Sequence, residues 1–418
     1  MPIKETKKVL MIAFHYPPYG GGSGVHRTLS FSRYLPDHGW QPIILTANPK
    51  SYPTTRGGQS RGIPTNVLIE RAFALDTARD LSIRGSYFNW LALPDRWVTW
   101  WFGAVSSGLR LIRKYQPKAI WSTFPIATAH LIGLTLNALT GTPWIADFRD
   151  SMTEAHYPRD HITRMIRRWI EIHTVKNCKH AVFTTPGALS MYSERYPSLA
   201  KSRWLMIPNG YDEWDFIGVE KAHAQRSSHK THIVLVHSGL LYPSERDPSA
   251  FLTALADLRR AGKVSSSELK IVFRASGHED YYRQQLLENG VDDIVFLEPP
   301  IPYQDALTEM FDADGLLVFQ ASSCNHQIPA KIYEYLRIRR PIFAMTDPKG
   351  DTASLLKSSG IDTIAPLDSE EQIREGLLKF LAAVRKGRAP TATDKAIETH
   401  TRRSRTRDLV SLLDSLDN

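Results

Sequence analysis

At 418 residues the chain is too long for one ordinary hydrophobic core, so its length predicts two or three domains. Hydrophobic residues make up 42% of the chain and charged residues 23%, which is the balance of a soluble globular protein. No stretch approaches the roughly 20 consecutive apolar residues that a membrane-spanning helix needs. The net charge of +9 indicates an anionic partner: a nucleic acid, a membrane surface or a phosphorylated substrate. Because the sequence has no zinc-finger spacing and no aromatic ribonucleoprotein signature, nucleic acid is the weakest of the three.

The N-terminus and the cysteines indicate where the protein works. Residues 1–8 are polar and lead directly into a predicted strand, so we expect no signal peptide. Cys178 and Cys324 lie far apart and have no metal-ligand spacing. We therefore predict a cytoplasmic protein with reduced thiols and no metal site.

Apolar runs bounded by turn residues alternate with longer helical patterns over the first half of the chain. The predicted strands of this half span residues 8–15, 42–47, 67–73, 118–124, 143–147, 180–185 and 204–208. The predicted helices span residues 24–38, 95–115, 128–139, 161–176 and 187–196. Strands that are apolar almost throughout, each followed by a helix, indicate a parallel sheet covered on both faces.

The alternation stops at a polar segment and then resumes. Later predicted strands span residues 233–237, 269–275, 294–297, 315–320, 341–345 and 363–365. The helices between and after them span residues 248–261, 280–289, 303–312, 330–337, 352–358 and 370–385. We predict a first domain over 1–212, a linker over 213–230, a second domain over 231–390 and a C-terminal helical segment over 391–418. That last segment is basic; it either packs back on the first domain or is a solvated tail.

A glycine-rich loop follows the first predicted strand. Residues 15–24 read HYPPYGGGSG and precede a helix, so their backbone amides can approach an anion at the helix N-terminus. The spacing is neither that of the dinucleotide fingerprint nor that of the phosphate loop. The position after the first strand favours a ligand-binding loop, and a tight bend is the alternative.

A second motif, PAKIYEYL at residues 329–336, opens a helix after a buried strand. Pro329 suits the first turn of a helix, and the free amides there can hold a diphosphate. Glu334, about one turn further on, can accept hydrogen bonds from both hydroxyls of a ribose. The alternative is a surface glutamate on an amphipathic helix.

A third loop, residues 239–248, follows the first strand of the second domain. Arg246 lies just ahead of a helix, where its guanidinium can pair bidentately with a phosphate. A plain Arg–Asp pair at the surface is the alternative.

Charged residues also follow the strand over 143–147. Asp147, Arg149 and Asp150 lie at its carboxyl end, where functional residues are common, although an aspartate that caps the next helix is the alternative. The carboxyl ends of the strands in the two predicted sheets are expected to face each other across a cleft. His130, on the preceding helix, is a candidate to face that cleft together with these residues, with a structural histidine as the alternative.

Tryptophans cluster beside basic residues. Trp97, Trp100 and Trp101 lie in the predicted helix 95–115, which ends in arginine and lysine, and the helix over 161–176 is also basic. A core-facing helix with a basic end explains this pattern. Shallow insertion at an anionic membrane interface explains it as well.

Taken together, these segments resemble glycosyltransferase family 4, the large retaining family with the GT-B fold. The likeness extends to the bacterial branch that assembles surface polysaccharide and lipopolysaccharide. The matching segments are residues 15–24, 146–150, 207–212 (IPNGYD), 239–248 and 331–336 (KIYEYL). They span nearly the whole chain, and the IPNGYD and KIYEYL segments are the most specific. The resemblance implies an α/β protein of two Rossmann-like parallel-sheet domains that face a central cleft.

The resemblance implies that the second domain holds a nucleoside diphosphate sugar, with Glu334 on the ribose and Arg246 on the diphosphate. The full set of implied donor-binding residues is Gly21, Gly22, Gly24, Gly239, Arg246, His326, Pro329, Lys331 and Glu334. The predicted catalytic residues are Asp147, Arg149, Asp150 and Arg246, and those predicted to contact the acceptor are His130, Asp147 and Asp150. Neither a metal nor another cofactor is implied, because cationic side chains and helix ends compensate the charge of the leaving group.

Three positions depart from the family pattern. His326 stands where the family usually has a second glutamate, eight positions before the one matched by Glu334. Leu240 replaces the usual arginine after the glycine, and Arg246 replaces the usual lysine. These changes affect how the sugar hydroxyls and the phosphates are held.

The sequence thus predicts a retaining glycosyltransferase that moves a sugar from a nucleotide donor to a glycan or a lipid-linked acceptor. Its location is predicted as the cytoplasm or the cytoplasmic face of the inner membrane. One alternative is a nucleotide-sugar epimerase or a phosphorylase on the same fold. Another is a non-catalytic basic protein that binds membranes or nucleic acid, for which a polynucleotide affinity that falls steeply with salt is the signature.

Overall fold

The computed structural model describes residues 6–20, 24–55, 62–82, 84–155, 157–220 and 232–417. The chain divides into two compact units. Unit 1 comprises Met1–Asn209 together with Arg402–Asn418, and unit 2 comprises Gly210–Thr401.

Unit 1 is built on a parallel sheet of seven strands. The strands are β1 (Lys7–Ile12), β2 (Trp40–Ala47), β3 (Leu68–Ala72), β4 (Ala119–Thr123), β5 (Trp144–Phe148), β6 (His180–Phe183) and β7 (Trp204–Met206). Their order across the sheet is β3-β2-β1-β4-β5-β6-β7, and every pairing is parallel. This is the Rossmann order, in which the winding direction reverses between β1 and β4.

Helices cover both faces of this sheet. They are α1 (Gly24–Tyr34), α2 (Thr77–Asp80), α3 (Trp100–Tyr115), α4 (Ala127–Thr140), α5 (His161–Asn177) and α6 (Pro186–Arg195). Side chains that accept backbone N–H groups fix where several begin: Asp160 caps α5 and Thr185 caps α6. Along β1, Leu10 and Ile12 pack into one core layer, whereas Val9 and Met11 pack into the opposite one. Alternate side chains of the strands therefore supply two cores, as expected for a sheet buried on both faces.

Unit 2 repeats the architecture with a parallel sheet of six strands. The strands are β8 (Ile233–Ser238), β9 (Leu269–Arg274), β10 (Val295–Glu298), β11 (Gly315–Phe319), β12 (Ile342–Met345) and β13 (Ile364–Ala365), in the order β10-β9-β8-β11-β12-β13. Its helices are α7 (Glu213–Phe216), α8 (Ser249–Arg260), α9 (Glu279–Asn289), α10 (Tyr303–Asp312), α11 (Lys331–Ile338), α12 (Asp351–Ser358), α13 (Glu370–Arg385) and α14 (Asp394–Thr399). The winding reverses between β8 and β11.

The last helix, α15 (Arg402–Asp414), belongs to unit 1 although it follows unit 2 in the chain. Its Leu409, Leu412 and Leu413 are buried in the same core layer as Phe31 of α1. The indole nitrogen of Trp40 donates to the carboxylate of Asp414 at 3.1 Å. This burial of leucines gives residues 402–414 a structural reason to fold onto unit 1, whereas residues 391–401 of the predicted C-terminal segment belong to unit 2.

Two segments differ from their sequence-based prediction. Of the segment predicted as a linker, residues 213–220 lie in unit 2, where Phe216 and Val219 are buried in the core; residues 221–230 lie outside the described part. The helix predicted over 95–115 begins only at Trp100. Asp95 accepts the backbone N–H groups of Trp97 and Thr128, and this holds residues 95–99 in turns ahead of the helix.

In the part of the chain that the structure describes, no helix has an apolar run long enough to cross a bilayer.

Candidate functional site

In unit 2 the predicted donor residues meet at the carboxyl ends of β8 and β11. These two strands are neighbours where the winding of the sheet reverses, and ligands of such sheets bind at that edge. Gly239 follows β8 directly, and the chain that leaves β11 leads to α11, which begins at Lys331. Gly239 and Lys331, 92 positions apart in sequence, are thereby brought together.

Lys331 and His237 form the centre of this cluster. The ammonium nitrogen of Lys331 lies 3.1 Å from Nε2 of His237, whose Nδ1 lies 3.0 Å from the carbonyl oxygen of Leu317. Because a carbonyl only accepts, Nδ1 carries the proton and Nε2 accepts from Lys331. Burial and the neighbouring Lys331 hold the pKa of His237 well below its ordinary value. The imidazole is therefore neutral at physiological pH and adds no charge of its own.

Gly239 leaves room for the lysine. Its φ is +113°, a conformation that side chains other than glycine rarely adopt, and a Cβ there would lie 3.1 Å from Nζ of Lys331. Burial, together with the charge of Arg246, lowers the pKa of Lys331 to about 7. The carboxylate of Glu334 raises this pKa, but it does not offset burial and the charge of Arg246, so the cluster lacks a further compensating anion. A bound diphosphate would supply that anion.

Arg246 and Glu334 border the same cluster. The guanidinium of Arg246 lies over the ring of Tyr242 at 5.4 Å and contacts the carbonyl oxygen of Leu240 at 3.4 Å, so its charge is not neutralised by either partner. Glu334, one turn into α11, accepts a hydrogen bond of 2.6 Å from the hydroxyl of Tyr303. The carboxylate and Lys331 thus project from the same helix, three residues apart.

Pro329 and His326 lie in the segment that precedes α11. The carbonyl oxygen of Pro329 accepts the N–H of Ile332, so this proline is part of the turn that starts the helix. His326 is partly buried, with its Nε2 3.4 Å from the side-chain nitrogen of Gln327. The neighbouring Asn325 donates to Asp347 at 2.6 Å, which ties this segment to the loop after β12.

In unit 1, Asp147 is committed to a buried ion pair. Its two carboxylate oxygens accept from Nη2 and Nε of Arg27 at 2.8 and 3.0 Å, and Oδ2 also accepts from the hydroxyl of Thr123 at 2.9 Å. The carboxylate is fully buried, and Arg27 also donates to the carbonyl oxygens of Ile207 and Pro208. Asp147 therefore fastens α1 to the end of the sheet, in place of the acceptor-orienting role expected from the sequence.

His130 is likewise inside the protein. It has no exposed surface, its Nδ1 lies 2.8 Å from the hydroxyl of Ser122, and its ring packs against Phe124, Phe148 and Trp144. Burial lowers the pKa of His130 to about 3. The structure thus makes it a neutral core residue, which corrects its placement among residues that face a cleft.

Arg149 has a different environment from Asp147. Only 9% of its surface is exposed, yet its Nε and Nη1 have no hydrogen-bond partner among the described residues. A Cβ on Gly24, the first residue of α1, would lie 2.8 Å from Nη1 of Arg149 and 2.5 Å from Nδ1 of His15. Burial and the adjacent guanidinium lower the pKa of His15 to about 3, so the histidine is neutral. A guanidinium whose Nε and Nη1 have no hydrogen-bond partner in the described part of the chain, next to a helix N-terminus, is suited to an anion.

Three other residues of unit 1 were predicted from the sequence. Asp150 is exposed at the surface next to Arg149. Gly21 and Gly22 lie outside the described residues.

Sequence reasoning missed His237, Arg27 and Tyr303, and it included His15 only as the first residue of the glycine-rich loop. His15 and His237 each close an apolar run, at KVLMIAFH and IVLVH, and a polar residue at that position was a signal. Arg27 and Tyr303 gave no such signal, because they lie on helices where charged and aromatic residues are ordinary.

The tryptophans predicted to reach a membrane are held inside unit 1. Trp100 is fully buried. The indole nitrogen of Trp97 donates to the carbonyl oxygen of Ser51, and that of Trp101 donates to Thr135. Trp100 therefore has no surface that could reach lipid, and the indole nitrogens of Trp97 and Trp101 are used in internal hydrogen bonds; of the two explanations for the tryptophan cluster, these contacts favour the core-facing helix. Within the ranges that the structure describes, no group of three or more His, Cys, Asp or Glu side chains is placed to hold a metal ion.

The sequence matches no protein-family model and no curated protein. Solved structures do match it over its whole length. Sucrose-phosphate synthase from Thermosynechococcus elongatus is 14% identical, with a TM-score of 0.67 over 98% of this chain and 99% of that one. HepE from Anabaena, solved in complex with UDP-glucose, is 12% identical, with a TM-score of 0.68 over 98% and 99%. UDP-GlcNAc 2-epimerase from Methanocaldococcus jannaschii is 10% identical, with a TM-score of 0.58 over the same shares.

These likenesses, together with the two sheets, define the fold. The chain is an α/β protein with two Rossmann-like parallel-sheet domains, of seven and six strands, and it has the GT-B fold. At these sequence identities the likeness establishes the fold of the chain and not its chemistry.

Proposed function

We propose that this chain is a retaining, metal-independent glycosyltransferase of the family 4 type, which transfers a sugar from a nucleoside diphosphate sugar to a glycan or a lipid-linked acceptor. The observation that carries the proposal is the cluster at the β8–β11 edge of unit 2. It places Lys331 and Arg246 beside Gly239, with Glu334 one turn further along α11. That arrangement suits a diphosphate joined to a ribose. The HepE structure, which has the same fold and contains UDP-glucose, supports this assignment.

Each residue of the cluster has a proposed task. Lys331 and Arg246 compensate the diphosphate, and the amides that begin α11 add to this compensation. Glu334, held by Tyr303, accepts hydrogen bonds from the ribose hydroxyls. Gly239 allows the phosphates to approach the backbone. His326 and Pro329, in the segment that precedes α11, are also assigned contacts with the donor.

In the proposed reaction the bond between the anomeric carbon and the diphosphate oxygen breaks, and the acceptor oxygen bonds to that carbon on the same face of the sugar. The acceptor proton passes to the departing diphosphate. The transition state carries positive charge on the sugar and negative charge on the leaving group, so fixed cations lower its free energy. On the side of unit 1 we assign charge compensation to Arg149 and Gly24, and orientation of the acceptor to Asp150. Synthesis of surface polysaccharide or lipopolysaccharide is the proposed setting.

The experiment that tests the donor site is a thermal-shift panel of UDP, GDP, CDP and ADP. Wild type is compared with Glu334→Ala and with Glu288→Ala, a matched change at an exposed glutamate of α9. A nucleotide at 100 times its Kd adds about 2.7 kcal/mol of apparent stability. We expect one nucleotide to stabilise wild type and Glu288→Ala but not Glu334→Ala. Equal responses from all three proteins, or no response from any, contradict the assignment.

An epimerase is the second candidate, because the solved UDP-GlcNAc 2-epimerase shares the fold with a TM-score of 0.58. The two candidates differ in their need for an acceptor. Once the donor is known, its signals are followed by NMR with and without a panel of glycan and lipid-linked acceptors. A transferase releases the nucleotide only with an acceptor and forms a product with the anomeric configuration of the donor. An epimerase changes the donor alone and keeps the nucleotide attached.

A further inference from the structure

A buried carboxylate contacts the loop that follows β5. Glu171, on α5, has no exposed surface. Burial of a charge is costly unless the group is paired and hydrogen-bonded. This carboxylate accepts five hydrogen bonds of 2.6 to 2.9 Å from the residues that the structure describes. The donors are the guanidinium groups of Arg168 and Arg195, the hydroxyls of Tyr192 and Tyr196, and the hydroxyl of Thr153.

Three of these donors connect Glu171 to the loop. Thr153, a loop residue, donates from its hydroxyl to Oε2 of Glu171 at 2.8 Å. The hydroxyl of Tyr192 donates to the same oxygen at 2.9 Å and accepts the buried backbone N–H of Met152, also at 2.9 Å. Arg195, which donates to Oε1 of Glu171, donates to the carbonyl oxygen of Thr153 as well, at 2.9 Å. Glu171 therefore fixes the path of the chain at residues 152 and 153.

The fixed part of the loop comes directly after the charged residues of the candidate site in unit 1. Arg149 and Asp150 precede Met152 by three and two positions. On the other side, the carbonyl oxygen of Arg149 accepts from the hydroxyl of Thr184 at 2.9 Å. The chain is thus held both before and after Asp150. Such restraint matters at a site, because a displacement of about 1 Å can cost a large part of a group's effect on a reaction.

Stability alone does not account for this network. A buried carboxylate paired with arginines contributes little net stability, since the loss of hydration offsets the attraction. Burial, followed by the charge of Glu171, raises the pKa of Tyr192 and Tyr196 well above the ordinary value of a tyrosine. Both hydroxyls therefore keep their protons and remain donors. A fully satisfied network of this kind provides a fixed geometry.

We propose that Glu171 is a positioning residue for Arg149 and Asp150. Through Tyr192 and Thr153 it holds the loop after β5 in one conformation. Arg149 and Asp150 thereby keep the orientation in which they compensate charge and orient the acceptor. The proposal rests on these two roles in the proposed transfer reaction. Glu171 itself is buried, so it acts only through the loop.

The two tyrosines provide a matched pair of variants. Tyr192→Phe and Tyr196→Phe each remove a hydroxyl that donates to Glu171, but among the described residues only the hydroxyl of Tyr192 also binds the loop. Amide hydrogen exchange at Met152 in the full chain measures how firmly the loop is held. We expect this exchange to be at least about tenfold faster in Tyr192→Phe and within about twofold of wild type in Tyr196→Phe.

Glu171→Gln separates the carboxylate from the tyrosine. This variant leaves the hydroxyl of Tyr192 in place, so faster exchange at Met152 would come from the loss of the hold that Glu171 has on it. Its control is Asp95→Asn, which alters a buried carboxylate of unit 1 that accepts from Trp97 and Thr128. We expect exchange at Met152 to be at least about tenfold faster in Glu171→Gln and nearly unchanged in Asp95→Asn.

Kinetics well below the unfolding temperature test the consequence for the reaction. We expect Glu171→Gln and Tyr192→Phe to lower kcat/KM for the acceptor by about tenfold. The thermal shift produced by the nucleotide should stay as in wild type, because the donor cluster lies in unit 2. Tyr196→Phe and Asp95→Asn should remain within about twofold of wild type in kcat/KM.

Three outcomes overturn the proposal. The first is equal exchange at Met152 in wild type and Glu171→Gln. The second is faster exchange in Tyr192→Phe with kcat/KM for the acceptor unchanged. The third is an equal loss of activity in Glu171→Gln and Asp95→Asn, which would make the effect one of stability. Wild type that transfers no sugar to any acceptor contradicts the proposed function instead, and the exchange rates then still decide whether Glu171 holds the loop.

Discussion

Lys331 donates to Nε2 of His237 over 3.1 Å, and neither residue has an acidic partner in this contact. A lysine with a neutral imidazole on one side and Arg246 nearby is in an unfavourable position in the free protein. Binding of an anion next to Lys331 would remove this unfavourable interaction.

We expect the affinity for the nucleotide sugar to fall as pH rises above about 7, because Lys331 loses its proton there in the free protein and must regain it on binding. Below pH 7 the lysine is already charged and affinity should level off. The expected slope is up to about tenfold per pH unit. A nucleotide sugar is preferable to a free nucleotide, since its diphosphate is esterified at both ends. Calorimetric titration from pH 6 to 9 provides the measurement.

Lys331→Arg is the control for this pH dependence. Arginine keeps its proton throughout the range, so affinity should be nearly constant with pH. A steep slope in that variant would mean that a group other than Lys331 titrates.

Lys331→Met should abolish nucleotide binding yet stabilise the free protein. Because the pKa of this lysine is about 7 in the folded chain and about 10 in the unfolded one, folding is opposed at pH 7 and below, and the opposition fades as pH rises toward 10. We expect a gain of about 2 to 4 kcal/mol at pH 6 that nearly disappears by pH 10. Denaturant unfolding of wild type and variant at both pH values measures the difference in their unfolding free energies. A difference that is constant with pH would count against the lowered pKa of Lys331.

Removal of the Asp147 carboxylate should harm folding, and removal of the Asp150 carboxylate should not. Asp147→Ala leaves Arg27 charged and buried, which we expect to cost about 3 to 5 kcal/mol, whereas Asp150→Ala should change the unfolding free energy by less than about 0.5 kcal/mol. Urea unfolding gives both values. The double variant Arg27→Met/Asp147→Leu should recover much of the loss, because no unpaired charge remains. If Asp147→Ala were as stable as wild type, the ion pair would have no structural importance.

Arg149→Met should lower the activity and leave the stability nearly unchanged, whereas Asp147→Ala should lower the stability. Within the described ranges the buried Nε and Nη1 of this arginine have no hydrogen-bond partner to lose, so the unfolding free energy should stay within about 1 kcal/mol of wild type or rise. If Arg149 compensates a phosphate, kcat/KM should fall by about 100-fold. Denaturant titration and steady-state kinetics on the same preparations decide this. A stable variant with full turnover would exclude Arg149 from the machinery.

Tyr303→Phe should weaken donor binding through Glu334. The change removes a 2.6 Å hydrogen bond that holds the carboxylate, but it leaves the carboxylate itself in place. We expect KM for the donor to rise several-fold, in line with about 1 kcal/mol for one hydrogen bond, with kcat nearly unchanged. Combined with Glu334→Ala, the tyrosine change should have no further effect. Additive effects in the double variant would show that Tyr303 acts elsewhere.

The fold class was predictable from the sequence, and the structure confirms it. The helix predicted over 370–385 matches α13 residue for residue, and other elements agree to within a few residues. Hydrophobic periodicity is a local property, and a parallel sheet buried on both faces leaves a clear apolar run at each strand. The helix over 95–115 was the exception, because its start depends on Asp95 reaching Thr128.

The sequence by itself therefore determined the elements, their order and the two-domain α/β architecture, since each of these follows from neighbouring residues. Only the tertiary structure decided that Asp147 pairs with Arg27, 120 positions away, while the buried Nε and Nη1 of Arg149, two positions further on, have no hydrogen-bond partner among the residues that the structure describes. It also decided that Trp100 is buried and Trp169 exposed, although both lie in basic, apolar helices. The physical reason is the same in both cases. Hydrogen-bond partners and exposure depend on which distant element covers a side chain, and local patterns contain no information on that choice.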